Sequence, residues 1–135
     1  MDKIYDIVLN FNGESGPYLQ YVYVRTKSVL EKVGKVPSVE NIDFSLLQDK
    51  ASISVITKLY DFENVLKQVI EKNEPSLLAR YLIDLSSLFS NFYNENKIID
   101  DDENVKNARV YLCSAVGIVL KTGCKLLGIE MPNRM

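Results

Sequence analysis

The sequence predicts an all-α fold, a helical bundle of four to five helices in one domain. Two long segments, residues 75–94 and 105–120, carry apolar residues at i, i+3 and i+4, which is the spacing of one helix face. The stretch SISVIT at 52–57 alternates β-branched residues with serine, but the chain offers no second strand-like run for it to pair with. Helices packed around one core are therefore expected across the 135 residues.

Start and stop signals divide the chain into these helices. Ser15 or Gly16 can cap a first helix that holds Pro17 in its first turn, and Gly34 can end it. Residues 35–45 contain a proline and no sustained periodicity, which predicts a connecting loop. The predicted helices span residues 18–33, 46–60, 62–72 and 75–94, followed by a last helix that contains residues 105–120.

Acidic residues stand at two of the predicted helix starts. Asp61 is placed to cap the helix at 62–72 against Asn64. The acidic run at 100–103 favours the positive end of the last helix dipole, and the alternative of a divalent cation site lacks the Asp-x-Asp-x-Asn-Gly pattern. A solvated helix start is therefore preferred for this run. Gly123 allows either a break or a close contact, and Gly128 marks the final turn.

The composition excludes several kinds of site. The chain has no histidine, the commonest general base and metal ligand, so the sequence assigns no catalytic residue, metal site or cofactor site. The two cysteines, Cys113 and Cys124, are expected to be reduced and packed. No run approaches the ~20 apolar residues of a membrane helix, so we expect a soluble, cytoplasmic monomer. A net charge of −2 argues against a grip on nucleic acid mainly through phosphates.

Two motifs lie at the two ends of the chain. Near the start stands FNGESGPYLQYVYVR at 11–25. Later come LARYLIDL at 78–85, FY at 92–93, AR at 108–109, LLGI at 126–129 and PNRM at 132–135. The first motif resembles the segment that leads arginyl-tRNA synthetases from the catalytic domain into their helical bundle, and the later ones resemble that family's C-terminal, DALR-type anticodon-binding domain. The family typically has glutamate at Asn12, threonine at Ser15 and glutamate at Asn133.

The resemblance implies an anticodon-binding domain of a class I aminoacyl-tRNA synthetase over residues 1–135, with 1–16 as the junction from the catalytic domain and 17–135 as the bundle. Its implied partners are arginine tRNA, bound at the anticodon loop, and the catalytic domain of the same synthetase. The HIGH-like and KMSKS-like ATP-site motifs of the family are missing. We therefore expect a domain without catalysis of its own, in which ATP belongs to the parent enzyme and Met1 marks a fragment boundary. The alternative is a free-standing helical module, derived from a synthetase bundle, that docks a protein.

The resemblance also points to two residues that would line the anticodon-loop site. Tyr93 would supply a stacking face, and Met135 an apolar contact at a fixed chain end. On the sequence alone, the preferred interpretation is that Tyr93 closes the core at the end of its helix and that Met135 is a frayed terminus; the resemblance reverses this preference for Tyr93. Tyr18, Tyr21 and Tyr81 lie on apolar faces and are expected in the core.

Three arginines are candidates for phosphate contacts: Arg80, Arg109 and Arg134. A planar guanidinium matches the geometry of a phosphate and stacks on bases. Each arginine could instead belong to an intrachain ion pair, for instance Arg80 with Asp84 four residues further along the same helix face. Both possibilities stay open at the level of the sequence.

Overall fold

A computed structural model describes residues 15–132, and five α-helices run through this part of the chain. No β-strand occurs among these residues, so the predicted all-α bundle is confirmed and residues 52–57 are helical. Two short 3-10 turns, Val39–Asn41 and Phe44–Leu46, lie between the first two helices. The helices are α1 Gly16–Val33, α2 Lys50–Tyr60, α3 Phe62–Lys72, α4 Pro75–Glu95 and α5 Glu103–Leu126.

Helix α4 is the centre of the bundle, because α1, α2, α3 and α5 all pack against it. Its apolar face, spaced by three and four residues, is closed off from solvent at Leu82, Leu85, Phe89 and Phe92. Helix α1 packs along α5 on one side of α4, and α2 and α3 cover the other side. The fold therefore brings α1, the end of α4 and the end of α5 together.

The first helix begins and ends close to the predicted positions. Pro17 lies in its first turn, where its missing N–H costs no hydrogen bond. Ser15 occupies the cap position with helical backbone angles and makes no side-chain cap bond, so the sequence identified the place of the cap but not its chemistry. Gly34 ends the helix with a φ of 87°, and its N–H donates to the Leu30 carbonyl.

Helix α2 begins four residues later than predicted, at Lys50 instead of Leu46. The reason is Asp49, whose carboxylate accepts hydrogen bonds from the Ser52 N–H at 3.1 Å and the Ser52 hydroxyl at 2.7 Å. A strong cap at this position starts the helix there, and the preceding residues form the 3-10 turn instead. The β-branched residues that follow are helical because Ala51, Ser52 and Val55 bury one helix face.

Asp61 does not cap α3 in the way that the sequence predicted. It makes no side-chain hydrogen bond to the α3 backbone, and instead accepts from the side-chain amide of Asn64 at 3.3 Å. Its own backbone is helical, because α2 and α3 are separated by this single residue. The predicted bounds of α3 are nevertheless confirmed.

The acidic run caps the last helix, as predicted. Asp102 accepts hydrogen bonds from the N–H groups of Asn104 at 2.9 Å and Val105 at 3.2 Å. Helix α5 then continues through Gly123, and of the two alternatives for this glycine the close contact is the one observed. A Cβ at this position would lie 2.7 Å from a methyl carbon of Leu82.

Both cysteines are buried and free, which confirms packed thiols. Burial raises the pKa of each thiol to about 12, because the interior disfavours the thiolate. None of the helices in residues 15–132 combines the length and apolarity that crossing a membrane requires.

Candidate nucleic-acid interface

Tyr93 lies two residues before the end of α4 and is half-buried. Its ring packs against that of Phe89, one helical turn earlier, with 6.2 Å between the ring centroids. Phe89 is fully buried, so the core fixes one side of the Tyr93 ring. Tyr93 thus closes the core at the end of its helix while part of its side chain still reaches solvent.

Arg25 of α1 contacts Tyr93 across the two helices. Its guanidinium carbon lies 4.3 Å from the centroid of the Tyr93 ring and 4.9 Å from that of Tyr21, one turn earlier in α1. Arg25 Nη2 also donates a hydrogen bond to the Tyr21 hydroxyl. Among residues 15–132, no carboxylate lies within ion-pair distance of this guanidinium. We refer to Tyr21, Arg25 and Tyr93 as the aromatic–arginine cluster.

The cluster offers the groups on which unpaired bases stack, namely two tyrosine rings and a guanidinium plane. Tyr21 is 49% exposed, so its predicted place in the core is wrong. It lies at the edge of the apolar face, where a hydroxyl and a neighbouring cation favour solvent. Tyr81 is in the core as predicted, and Tyr18 is half-buried with its hydroxyl 3.4 Å from Ser90 Oγ.

The C-terminal tail, residues 129–132, lies beside the start of α1. Gly128 turns the chain with a φ of 80°, and the Ile129 N–H donates to the Cys124 carbonyl at 2.8 Å. The side-chain amide of Gln20 then donates to the Glu130 carbonyl at 3.2 Å. Gln20 precedes Tyr21 but is turned by about 100° around α1, so the tail and the aromatic–arginine cluster border neighbouring faces of the same helix.

Arg80 is not brought to this surface. It is exposed on α4, thirteen residues before Tyr93, which at 1.5 Å per residue is about 20 Å along the helix axis. The ion pair suggested between Arg80 and Asp84 is wrong, since Asp84 Oδ2 lies 3.6 Å from Lys58 Nζ of α2. The contact between α2 and α4 places Lys58 closer to that carboxylate than the helix neighbour.

Arg109 forms an intrachain ion pair, which was the alternative to a phosphate contact for this residue. Its Nη1 donates to the Lys97 carbonyl at 2.8 Å and lies 3.4 Å from Asp100 Oδ2. These contacts tie the loop after α4 to the first turns of α5. A phosphate contact for Arg80 or Arg109 stays a prediction, as it does for Arg134, which with Met135 lies outside the described residues.

The sequence interpretation missed Arg25 as a functional candidate. The signal was present, because Tyr21 and Arg25 are four residues apart and therefore share a helix face. The third residue of the cluster, Tyr93, follows Arg25 by sixty-eight residues, and no rule of sequence spacing predicts a contact between these two.

Comparison with known proteins adds independent observations. The family described as the DALR anticodon binding domain matches residues 19–135. The arginine–tRNA ligase of Halothermothrix orenii is 43% identical over 132 residues, which are 97% of this chain and 23% of the relative. The arginine–tRNA ligase of Clostridium kluyveri is 41% identical over 130 residues, which are 95% of this chain and 23% of the relative. The solved arginyl-tRNA synthetase of Thermus thermophilus is similar with a TM-score of 0.82 and 30% identity, over 97% of this chain and 23% of that one.

This chain thus spans about a quarter of the length of the curated relatives that it matches. The match by sequence runs through α1 to α5, and the similarity of structure covers the same helices. The chain belongs to the DALR anticodon-binding domain family, in the form found in arginyl-tRNA synthetases.

Proposed function

We propose that this chain recognises the anticodon loop of arginine tRNA and so positions the acceptor end for ATP-dependent aminoacylation by the catalytic domain of the same synthetase. Arginine codons are CGN and AGR, so every arginine anticodon has a central cytosine while its first and third bases vary. A recognition domain can therefore read this one base closely. In this proposal ATP and the activation of arginine belong to the catalytic domain.

The observation that carries the proposal is the aromatic–arginine cluster. Proteins read RNA sequence best in single-stranded loops, whose splayed bases stack on aromatic rings and on arginine. Here Arg25 contacts two tyrosine rings and has no carboxylate partner among residues 15–132. A base that stacks on the cluster contacts an aromatic ring and a positively charged guanidinium together. This suits a chain of net charge −2, which has few phosphate contacts to offer.

The tail supports the part that we assign to Met135. Residues 129–132 are held against α1 through Gln20, and Ile129 and Met131 pack against the core. In this proposal Met135 supplies an apolar contact to the remodelled loop.

The test is a titration of the chain with an RNA hairpin that carries the anticodon stem and loop of an arginine tRNA. A second hairpin, identical except for uracil in place of the central cytosine, is the matched control. We expect the second hairpin to bind at least about tenfold more weakly, since one mismatched base typically costs ~1–3 kcal/mol. Equal binding of both hairpins, or no binding of either, would contradict anticodon recognition and favour the protein-docking alternative.

A further inference from the structure

A groove lies beside the C-terminal tail, on the side of the tail where α5 ends. Its volume is about 460 Å³, and it is lined by Lys121, Lys125 and residues 128–131. We propose that Lys121 and Lys125 bind backbone phosphates of the RNA strand that continues from the base-reading cluster. This inference rests on the proposed function and adds to it a second class of contact, which holds the strand without reading its sequence.

The two lysines are arranged to act together. They are four residues apart in α5, so their side chains lie on one helix face, and both are exposed. Among residues 15–132, neither lies within ion-pair distance of a carboxylate. Lys58, Lys67, Lys97 and Lys106 each pair with a carboxylate at 3.1–3.7 Å, whereas the remaining lysines of residues 15–132 make no such pair. Lys121 and Lys125 are the two unpaired lysines that line this groove together, so a phosphate there would not have to replace an ion pair.

The charge of the surrounding surface points the same way. Helix α1 contains three basic residues and one acidic residue, Glu31. Residues 110–132, which include most of α5 and the tail, contain two basic residues and one acidic residue, Glu130. Helices α1 and α5 pack together, and both segments carry more basic than acidic residues in a chain whose net charge is −2. An anionic strand is attracted to these two segments.

The lysine groove and the base-reading cluster both border α1. Arg25 of α1 contacts Tyr21 of the same helix and Tyr93 of α4. Gln20, the residue before Tyr21, is turned by about 100° around the helix and donates to the Glu130 carbonyl, and Glu130 lines the groove. An RNA strand that passes over this part of α1 can place a base on the cluster and its following phosphates beside the lysines. A lysine ammonium suits this role because it is a mobile point charge with no base preference.

The experiment measures binding of the arginine anticodon hairpin by the 135-residue chain at several salt concentrations. The variant Lys121→Gln/Lys125→Gln is compared with Lys67→Gln/Lys72→Gln, which changes the net charge equally on α3, a helix that packs mainly on α2 and α4. Between about 50 and 200 mM salt, two lost phosphate contacts should weaken binding about tenfold at the lowest salt and reduce the salt slope by about 1 to 2. The α3 variant should stay within about twofold of the parent.

Two further arms complete the design. Glu130→Gln removes the carboxylate of Glu130 from the groove lining and should strengthen binding of the hairpin. A general loss of folding would weaken binding instead, so the two effects can be told apart. The hairpin with a uracil at the central position should lose affinity in the lysine variant by the same factor as the arginine hairpin, because phosphates carry no sequence.

Each outcome bears on the inference. Equal weakening by the α5 and α3 variants would mean that only net charge matters, and would overturn it. If Lys121→Gln/Lys125→Gln binds like the parent while Tyr93→Ala loses affinity, the lysine groove is excluded but anticodon recognition stands. Failure of the parent chain to bind the hairpin would remove the proposed function and this inference together.

Discussion

The guanidinium of Arg25 lies 4.3 Å from the ring centroid of Tyr93, and this contact joins the third turn of α1 to the C-terminal end of α4. No carboxylate within residues 15–132 pairs with Arg25, so its position depends on the two tyrosine rings and on the packing of the two helices. A base that binds here meets a surface assembled by tertiary structure. The first two predictions separate the contributions of the two residues.

Tyr93→Ala should weaken binding of the arginine anticodon hairpin by roughly tenfold to a hundredfold, since stacking of one base on an aromatic ring is worth ~1–3 kcal/mol. Tyr93→Phe retains the ring and should bind within about threefold of the parent. Titration of the hairpin measures both, after a comparison of melting temperatures has shown that the variants fold. Parent-like affinity of a folded Tyr93→Ala chain would exclude Tyr93 from the site.

Arg25→Lys keeps the charge but removes the planar group that contacts two rings, so it should weaken hairpin binding by about threefold to tenfold. Arg80→Lys is the matched control, because Arg80 is exposed about 20 Å along α4 from Tyr93. The measurement is the same titration. If the two substitutions reduce affinity equally, the plane of the Arg25 guanidinium has no special part in binding.

Gly117 sets the closeness of α1 and α5, since a Cβ at this position would lie 2.8 Å from Thr26 Oγ1. Thr26 is fully buried and its hydroxyl donates to the Tyr23 carbonyl at 2.6 Å. Gly117→Ala should therefore lower the free energy of unfolding by about 1–3 kcal/mol, although alanine favours the helix itself.

The matched test is a double-mutant cycle with Thr26→Ala, followed by urea denaturation. In that background the new methyl group meets no hydroxyl, and Gly117→Ala should become neutral or stabilising, by up to about 1 kcal/mol. Additive effects of the two substitutions would show that this close contact does not limit the packing of α1 on α5.

The buried thiols predict how stability changes in alkali. Folding raises the pKa of Cys113 and Cys124 from an ordinary 9.0 to about 12, so below pH 9 both states hold the proton and stability is unaffected. Between about pH 9 and 12 the unfolded chain releases protons that the folded chain keeps, and stability falls as pH rises.

At pH 10 this loss should amount to about 1 kcal/mol for each thiol. Urea denaturation at pH 8 and pH 10 checks it, with Cys113→Ala as the control for the other groups that titrate. The variant should lose less stability than the parent over this interval. An equal loss in the two proteins would mean that the Cys113 thiol does not couple to folding.

Much of the fold could be predicted from the sequence because its signals are local. Gly34, Pro75 and the acidic run before α5 mark helix ends through their own backbone or cap chemistry, and the observed ends agree with them. The start of α2 was misplaced because apolar periodicity extends back to Leu46, whereas the helix follows the Asp49 cap. Where two local signals disagree, as apolar periodicity and the Asp49 cap do here, the sequence alone does not show which of them sets the start of the helix.

The candidate site was predicted only in part, because it is made by contacts between distant residues. Tyr93 was identified through family resemblance, and nothing in the sequence near it indicates that Arg25 lies over its ring. Tyr21 was assigned to the core because it fits the helical period of α1, and periodicity cannot distinguish the centre of a buried face from its edge. Asp84 shows the same limit, since its ionic partner comes from another helix.

The hydrogen bond between Gln20 and the Glu130 carbonyl joins residues 110 positions apart in sequence. Closing so long a loop costs chain entropy that one exposed hydrogen bond cannot repay, so it forms only after packing of α1 on α5 has brought the two segments together. The bond is thus a consequence of the packing of α1 on α5, and any substitution that separates these two helices removes it as well. The surface therefore combines Tyr93, which packs against Phe89 of its own helix, with a tail whose place depends on two helices that are distant in sequence.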